Sequence, residues 1–205
     1  MELFTVIAVI AILIGIAYPA FTSVMERARK TQAKNDLTQI VTAVNAYYTE
    51  YGKYPIVAAD RVITGTSAPS NADLFYSLRA IALGANAPVN GVPAVNPRQI
   101  VFIQPPVAKD QTSPKSGIQN STGTWYDPWG SPYNIAIDGN YDNSLANPYS
   151  ADPSPPGGST LYIGVVTWAF GKNGVLGGGA PAAGFTNEPG TAGNFSGSGD
   201  VISWQ

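Results

Sequence analysis

The 205-residue sequence predicts an α+β domain in which one long N-terminal helix packs on a small antiparallel β-sheet with long loops. Three observations predict this class. The first 51 residues contain Gly and Pro only at positions 15 and 19, which favours a continuous helix. Residues 55–205 contain several short runs of β-branched and aromatic residues. Most of the 22 Gly and 17 Pro lie between these runs, and they indicate turns.

The composition excludes several kinds of catalytic and binding site. The chain has no Cys, so a disulfide, a thiol nucleophile and a thiolate metal site are excluded. It has no His, which excludes an imidazole base, a Ser-His-Asp triad and the usual zinc site. The net charge of −2 lacks the basic excess that is typical of nucleic-acid-binding proteins. No nucleic-acid partner is therefore predicted.

The first element is an apolar helix. Residues 3–25 carry no charge, and about 20 apolar residues suffice to cross a bilayer. Glu2 precedes this run, and Arg27, Arg29 and Lys30 follow it. A cleavable secretory signal fits poorly, because a basic region would precede its apolar run. A plain N-terminal membrane anchor with positive charges on one side is an alternative.

The helix continues beyond the apolar run with one apolar face. Apolar and aromatic residues recur there at helical spacing: Leu37, Ile40, Val41, Val44, Tyr47, Tyr48 and Tyr51. Gly52 predicts the end of the helix, and Pro55 follows three residues later. A helix of about 50 residues would be about 75 Å long. We therefore predict a transmembrane or filament-core helix over residues 1–25, its amphipathic continuation over 26–54, and a globular β-sheet domain over 55–205.

The first half of this helix has nothing in its own chain to pack against. It therefore requires lipid or other copies of itself. In a bundle of identical helices, Glu2 would be a costly buried charge unless it were paired. The N-terminal amine of a neighbour would be a natural partner, and the pair would fix the register between subunits. The sequence thus predicts a homopolymer.

The run E-L-F-T-V-I-A-V-I-A-I-L-I-G-I-A-Y-P-A-F resembles the N-terminal helix of type IV pilins and type II secretion pseudopilins. In that family a short leader is removed, the new N-terminus is N-methylated, and a Pro lies seventeen residues beyond a Glu. Glu2 and Pro19 have this spacing. Three or four residues precede this Glu in the family and only Met1 precedes it here, so the methylated residue is not assigned. The stretch from Arg27 to Pro55 also looks like the continuation in secretion pseudopilins.

The resemblance implies a type IV pilin fold and a subunit that polymerises through its N-terminal helix. It implies that Glu2 acts in assembly and that the stretch from Gly15 to Pro19 unwinds when subunits pack, with a simple kink at Pro19 as the alternative. It also implies prepilin peptidase and a pilus or secretion assembly machinery as partners. The expected location is the bacterial inner membrane before assembly, and then a periplasmic or cell-surface filament.

The globular half contains further predicted elements. Ser70 or Asn71 would cap the helix A-D-L-F-Y-S-L-R-A-I-A-L, and Gly84 would close it. Strand composition marks four segments: residues 99–104, 133–137, 161–170 and the terminal V-I-S-W at 201–204.

The segment W-Y-D-P-W-G-S-P-Y contains a predicted turn. Asp127, Pro128, Trp129 and Gly130 match the first to fourth positions of a type I turn. A turn pinned by its aromatic neighbours is the predicted role, and a sugar-binding aromatic platform is the alternative. The segment also looks like the D-P-W-G-x-x-Y segment of major pseudopilins of type II secretion, where it opens the sheet.

A first acidic segment, D-G-N-Y-D at residues 138–142, matches the start of an EF-hand calcium loop. The match fails further on, because the sixth position is Asn143 instead of Gly and the twelfth is Tyr149 instead of Glu. A solvated turn is therefore predicted.

A second candidate for calcium is the Gly-rich stretch from Gly171 to Gly199. A loop of this length is expected to be functional, disordered or tied down. Major pseudopilins resemble this arrangement, with a G-A-D-G-type turn and a later D-I-x-x-W that close a calcium site. Asn173 stands where the first Asp would be, and Asp200 stands where the second would be. The resemblance implies calcium as a cofactor, weakened by the lost charge, and a flexible surface loop is the alternative.

The sequence does not predict an enzyme. Asp127, Asp138, Asp142 and Asp200 could supply the carboxylate pair of a membrane-anchored glycosidase, but no two stand in a recognisable catalytic context. The uncharged helix half favours a polymerising subunit. The D-P-W-G segment favours the major pseudopilin of a type II secretion system. The alternatives are a type IV pilus major pilin for adhesion, twitching motility or DNA uptake, and a monomeric membrane-anchored binding domain.

Overall fold

The structure is a computed structural model that describes residues 2–89, 92–154 and 156–204. One long N-terminal helix packs against a four-stranded antiparallel sheet, and the described chain adds three two-stranded sheets and a second short helix. The predicted α+β class, with a long helix on an antiparallel sheet, is confirmed.

Helix α1 spans Glu2–Tyr51. Its 50 residues correspond to a length of about 75 Å. Gly52 adopts a left-handed φ of 68°, and its N–H donates to the carbonyl of Tyr48 at 2.8 Å. This left-handed residue ends the helix at the predicted position, because glycine adopts that conformation without steric cost.

The second half of α1 packs on the domain through one face. The buried residues of this face recur at helical spacing: Ala33, Asp36, Leu37, Ile40, Ala43, Val44 and Tyr47. Val41 and Tyr51 are half-buried, and Tyr48 is 39% exposed. The predicted face is therefore correct at its centre, and Tyr48 lies outside it.

The strands are short: β1 Arg61–Ile63, β2 Gly117–Ile118, β3 Trp125–Tyr126, β4 Asn134–Ile137, β5 Leu145–Ala146, β6 Thr160–Leu161, β7 Val165–Ala169, β8 Gly177–Gly179, β9 Glu188–Ala192 and β10 Val201–Ile202. The main sheet has the order β1-β4-β7-β10, and each neighbouring pair is antiparallel. The pairs β2–β3, β5–β6 and β8–β9 form the small sheets.

The central strands separate the core into two clusters because successive side chains point to opposite faces of a sheet. Ile135 and Ile137 of β4 pack in a cluster with the buried face of α1 and with Trp125. Ala136 of the same strand packs in the second cluster with Trp168. The main sheet therefore lies between α1 and the C-terminal loops.

Helix α2, Asn71–Leu78, begins as the sequence predicts. The hydroxyl of Ser70 accepts a hydrogen bond from the N–H of Asp73 at 3.3 Å. In return, the N–H of Ser70 donates to Oδ2 of Asp73 at 2.8 Å. This reciprocal capping box satisfies two N–H groups at the start of the helix.

The predicted end of α2 at Gly84 is wrong, because the helix stops at Leu78. Ala80 adopts a left-handed φ of 57°. The N–H of Ile81 then donates to the carbonyl of Tyr76 at 2.9 Å, which forms a Schellman motif. The sequence has no Gly at position 80, so the local pattern predicts that the helix continues to Gly84, whereas the folded chain turns at Ala80.

The predicted strand over residues 99–104 is also wrong. Gln99 has a left-handed φ of 55°, which interrupts an extended chain. The N–H of Phe102 donates to the carbonyl of Leu78 at 2.8 Å, so this segment is bound to the end of α2 and not to a strand.

The other predicted strands fare better. The segment at 133–137 is confirmed as β4, and the terminal segment at 201–204 contains β10. The predicted strand at 161–170 is divided into β6 and β7 by residues 162–164. Strand β1 is not among the predicted strands, because its three residues are too short for a periodic signal.

Candidate assembly surface

The N-terminal half of α1 exposes a continuous apolar surface. Its large apolar side chains are between 42% and 76% exposed: Phe4, Val6, Ile7, Val9, Ile10, Ile12, Leu13, Ile14, Tyr18, Phe21, Val24 and Met25. Soluble monomers rarely expose a contiguous apolar patch of this kind, and such patches mark interaction sites. A helix that is apolar all round requires a partner to bury it.

Across the described residues, no helix has both the length and the apolar character needed to cross a membrane. The transmembrane or filament-core role expected for residues 1–25 stays a prediction.

The predicted assembly residues Glu2, Gly15 and Pro19 all lie within the backbone of α1. The side chains of Glu2 and Pro19 lie outside the described part of the structure. A Cβ atom built on Gly15 would meet no other atom within 4 Å, so the subunit leaves open space there. That space would admit a neighbouring helix at close approach. The unwinding of the stretch from Gly15 to Pro19 on assembly stays a prediction.

Glu26 connects the end of the apolar surface to the globular domain. Nε1 of Trp129 donates to the carboxylate of Glu26, at 3.0 Å to Oε1 and 3.3 Å to Oε2. Arg29 lies 3.7 Å from Oε2 of Glu26. Because Trp129 is itself buried, the turn that carries it holds α1 where its apolar half becomes exposed.

The turn itself is built around a buried carboxylate. The N–H of Gly130 donates to the carbonyl of Asp127 at 3.2 Å, the hydrogen bond of a β-turn. Oδ1 of Asp127 also accepts the N–H groups of Trp129 at 2.9 Å, Gly130 at 2.7 Å and Ser131 at 2.9 Å. Pro128 has no N–H to satisfy. One carboxylate oxygen therefore holds three backbone donors.

The other oxygen of Asp127, Oδ2, is buried and has no hydrogen-bond partner among the described residues. Burial raises the pKa of Asp127 to about 7, although the three N–H donors act in the opposite direction. The carboxyl group therefore retains a proton well above the pH at which an exposed Asp loses it.

The C-terminal loop places the predicted calcium residues Asn173 and Asp200 in the interior. Nδ2 of Asn173 donates to the carbonyl of Gly177 at 2.7 Å, and its Oδ1 accepts the N–H of Val175 at 3.1 Å. Oδ2 of Asp200 accepts the hydroxyl of Tyr149 and the N–H of Gly177, each at 2.7 Å. Both side chains thus fix the loop at Gly177.

Glu188 is a further acidic residue of this loop that is not among the predicted site residues. It is buried, and its carboxylate accepts the N–H groups of Lys172 at 3.0 Å and Gly199 at 2.8 Å. In the sequence it is the only acidic residue between positions 171 and 199, which is the signal that could have identified it. It closes the long loop onto the segment that precedes β10.

The donor set of this loop fits calcium in part. Oδ1 of Asp200 is buried without a hydrogen-bond partner among the described residues, and calcium prefers such oxygen ligands. Burial raises the pKa of Asp200 to about 8, and the charge of Glu188 adds to this effect. A bound cation would stabilise these carboxylates. The amide of Asn173, by contrast, is already bonded to the backbone of the loop.

A separate group of carboxylates consists of Asp60, Asp138 and Asp142, whose oxygens lie within 4.8 Å of one another. Asp138 is buried and accepts the N–H groups of Tyr141 at 2.6 Å and Asn143 at 2.7 Å. The EF-hand-like segment is therefore a turn wrapped around Asp138. Of the four carboxylates considered for catalysis, the structure groups only Asp138 and Asp142 in this way.

Part of the chain is similar to a known fimbrial protein. It is 35% identical over 85 residues to Fimbrial protein EcpC of Eikenella corrodens, a match that covers 42% of this chain and 54% of that protein. The chain thus spans about half the length of the curated relative that it matches. No protein-family model and no solved structure matches the chain.

Proposed function

We propose that this protein is a structural, non-catalytic subunit of a fimbrial filament that assembles through the N-terminal half of α1. The observation that carries this proposal is the apolar surface formed by the described side chains between Phe4 and Met25, which its own chain leaves uncovered. Burial of that surface between copies is favourable by about 25 cal/mol for each Å² of apolar area. The similarity to a fimbrial protein supports the same function.

The way α1 is attached suits a subunit of a helical polymer. The buried face around Leu37 and Val44 fixes its second half on the sheet, and the bond from Trp129 to Glu26 fixes the point of exit. The apolar half is thus presented in one direction relative to the domain. An interface of this head-to-tail kind produces a filament when its rotation does not close.

The type II secretion pseudopilus is a second candidate function. The turn at Asp127–Gly130 favours it, because this segment resembles the D-P-W-G segment of major pseudopilins. Cleavage by a prepilin peptidase and delivery by an assembly machinery would apply to either filament. The two functions differ in the length and location of the filament.

Electron microscopy of material sheared from cells that express the protein at native level tests the proposal. Long uniform fibres that contain the chain would support a surface fimbria. Short sedimentable polymers retained in the cell envelope would favour the secretion pseudopilus. A protein that remains monomeric in both fractions would contradict a filament function.

The change Glu2→Leu is expected to leave a folded subunit that no longer assembles, because the partner that sets the register is lost. The measurement is the fraction of protein in sedimentable filaments, with circular dichroism to verify folding. Asp110→Leu is a suitable control, since it replaces an exposed carboxylate of the globular domain by the same side chain. Normal filaments from the Glu2→Leu variant would refute the assembly role of Glu2.

We also propose that calcium binds the C-terminal loop, with Oδ1 of Asp200 as a ligand. Added CaCl2 is expected to raise the Tm of the wild type, because a ligand that binds only the folded state stabilises it. Asp200→Asn should abolish this response, and Asp110→Asn, at an exposed acid outside the loop, should retain it. Equal Tm values for the wild type with calcium and with a chelator would disprove the site.

A further inference from the structure

Three tyrosines form an exposed stack at the C-terminal end of α1. The ring of Tyr54 stacks on that of Tyr48 with centroids 4.7 Å apart, and on that of Tyr141 with centroids 5.7 Å apart. The hydroxyl of Tyr141 accepts the N–H of Tyr54 at 3.2 Å, which fixes the stack. Tyr48 and Tyr141 nevertheless remain 39% and 49% exposed. We name Tyr48, Tyr54 and Tyr141 the tyrosine patch.

Negative charge borders this patch. Asp60, Asp138 and Asp142, which we name the acidic rim, adjoin Tyr141 through the hydrogen bond from its N–H to Asp138. Asp138 is buried, so Asp60 and Asp142 are the members of the rim that face a partner. The described residues contain ion pairs only between Arg29 and Glu26 and between Arg98 and Glu50. No carboxylate of the acidic rim therefore has a cationic partner within that part of the chain.

Positive charge is concentrated on α1 just beyond the apolar surface. Arg27, Arg29, Lys30 and Lys34, which we name the basic collar, are four of the eleven Lys and Arg residues of the chain. Arg27 and Arg29 are exposed. Within the residues that the structure describes, Arg27 forms no ion pair. Arg29 pairs with Glu26, and Nζ of Lys34 donates to the carbonyl of Ile202 at 2.8 Å. Arg27 is therefore the collar residue whose guanidinium is offered to a partner.

We propose that the basic collar of one subunit docks on the tyrosine patch and acidic rim of a second copy of this chain. Arg is suited to such a surface, because its planar guanidinium stacks on aromatic faces and forms paired hydrogen bonds with carboxylates. The inference rests on the proposed filament function and specifies which surfaces meet in the polymer.

The geometry of α1 provides an independent argument for this contact. Tyr48 follows Arg27 by 21 residues, which is about 31 Å along the helix. A second copy shifted by this distance would place its collar level with the patch. Its residues 14–25 would then lie level with residues 35–46 of the first copy. Apolar surface would therefore face the middle of the amphipathic half.

That part of α1 is suited to receive an apolar neighbour. Between residues 35 and 49 the only charged residue is Asp36, which is buried. Within residues 35–46, the exposed hydroxyls of Thr38 and Thr42 each donate to the carbonyl four residues earlier, at 2.9 and 2.8 Å. These threonines thus have their donors satisfied and can be covered by apolar groups without losing a hydrogen bond. A shift of about 31 Å along α1 therefore satisfies both contacts, because it brings the basic collar to the tyrosine patch and the apolar surface to an uncharged stretch of the neighbouring helix.

Charge reversal tests the contact. Arg27→Glu and Asp142→Arg should each lower the fraction of protein in filaments about fivefold at low salt. The two changes combined in one chain should restore the filaments, because the carboxylate at position 27 of one subunit then attracts the guanidinium at position 142 of the next. Lys109→Glu and Asp110→Lys serve as controls, since they reverse exposed charges of the same types outside the proposed contact.

Because the chain has no natural cysteine, engineered cysteines give a second, direct test. Subunits with Arg27→Cys and subunits with Asp142→Cys are assembled together and treated with a bifunctional thiol reagent whose reach matches the span of an Arg–Asp ion pair, since a direct disulfide would require the Cβ atoms to lie within about 4.5 Å. A cross-linked dimer is expected only in filaments, where the two positions face each other. The pair Arg27→Cys and Asp110→Cys should give no dimer.

The outcomes separate this inference from the function on which it rests. A wild type that forms no filaments overturns both. Wild-type filaments that are indifferent to Arg27→Glu and Asp142→Arg, and that give no cross-link, overturn the docking contact alone. Binding of calcium or a soluble sugar to the tyrosine patch, with filaments still indifferent to these changes, would assign the patch to that ligand instead.

Discussion

Ile12→Asp is expected to abolish filament formation while the subunit remains folded. Ile12 is 62% exposed in the subunit, so a carboxylate there stays in water and the domain loses no core contact. In a filament the same position would be enclosed by neighbouring helices. Burial of an unpaired carboxylate costs several kcal/mol, which corresponds to a loss of filament by two or more orders of magnitude.

The control for this prediction lies on the globular domain. Asn120→Asp introduces the same charge at an exposed position outside α1 and outside the proposed docking surfaces. Sedimentation of filaments measures assembly, and thermal unfolding of the soluble fraction measures folding. Wild-type levels of filament from Ile12→Asp would show that the apolar half of α1 is not the assembly surface.

Asp127→Ala is expected to destabilise the domain by about 3–5 kcal/mol. The change leaves the N–H groups of Trp129, Gly130 and Ser131 without their acceptor in a buried turn. Each unsatisfied buried donor costs about 1–3 kcal/mol. The turn also carries Trp129, so the bond to Glu26 should weaken and the direction of α1 should become less fixed. Filament yield should therefore fall together with stability.

Asp127→Asn is the matched variant, because its amide oxygen keeps the acceptor and removes the titrating group. At pH 7 its free energy of unfolding should differ from that of the wild type by about 1 kcal/mol. Chemical unfolding monitored by tryptophan fluorescence measures both variants. Equal stability of Asp127→Ala and the wild type would show that the three hydrogen bonds to Asp127 do not hold the turn.

The same pair of proteins reports the titration of Asp127. The pKa is about 7 in the folded state and close to 3.8 in the unfolded state, so the folded state binds the proton more tightly. Its contribution to stability is therefore complete below about pH 4 and is lost as the pH rises through 7. The stability of the wild type relative to Asp127→Asn should fall between pH 5 and pH 8, by roughly 2–4 kcal/mol. A pH-independent difference would contradict the buried, protonated carboxyl group.

The sequence determined the elements that depend on local pattern. The long helix follows from an almost unbroken absence of Gly and Pro, its end from Gly52, and its buried face from apolar residues at helical spacing. The start of α2 likewise follows from the local capping chemistry of Ser70 and Asp73. Capping hydrogen bonds join residues that are near neighbours in the sequence, and the spacing of apolar residues is visible within a few turns of helix. Both signals can therefore be read from the sequence without knowledge of the fold.

Some errors arose where a distant partner overrides local preference. Residues 99–104 have strand composition, but a strand exists only if another strand pairs with it, and this segment is bound to α2. The end of α2 at Leu78 depends on a left-handed Ala80, a conformation that its side chain disfavours. Neither feature has a signal within its own segment.

The candidate surfaces divide in the same way. The apolar half of α1 and the basic collar are continuous in sequence, and the sequence alone determined them. The tyrosine patch joins Tyr48 and Tyr54 to Tyr141, and the loop contacts join Asp200 to Tyr149 and Glu188 to Gly199. Only the tertiary structure decided these pairs. Their members are separated in the sequence, and packing on the sheet brings them together, whereas the residue types alone do not indicate which distant residues will meet.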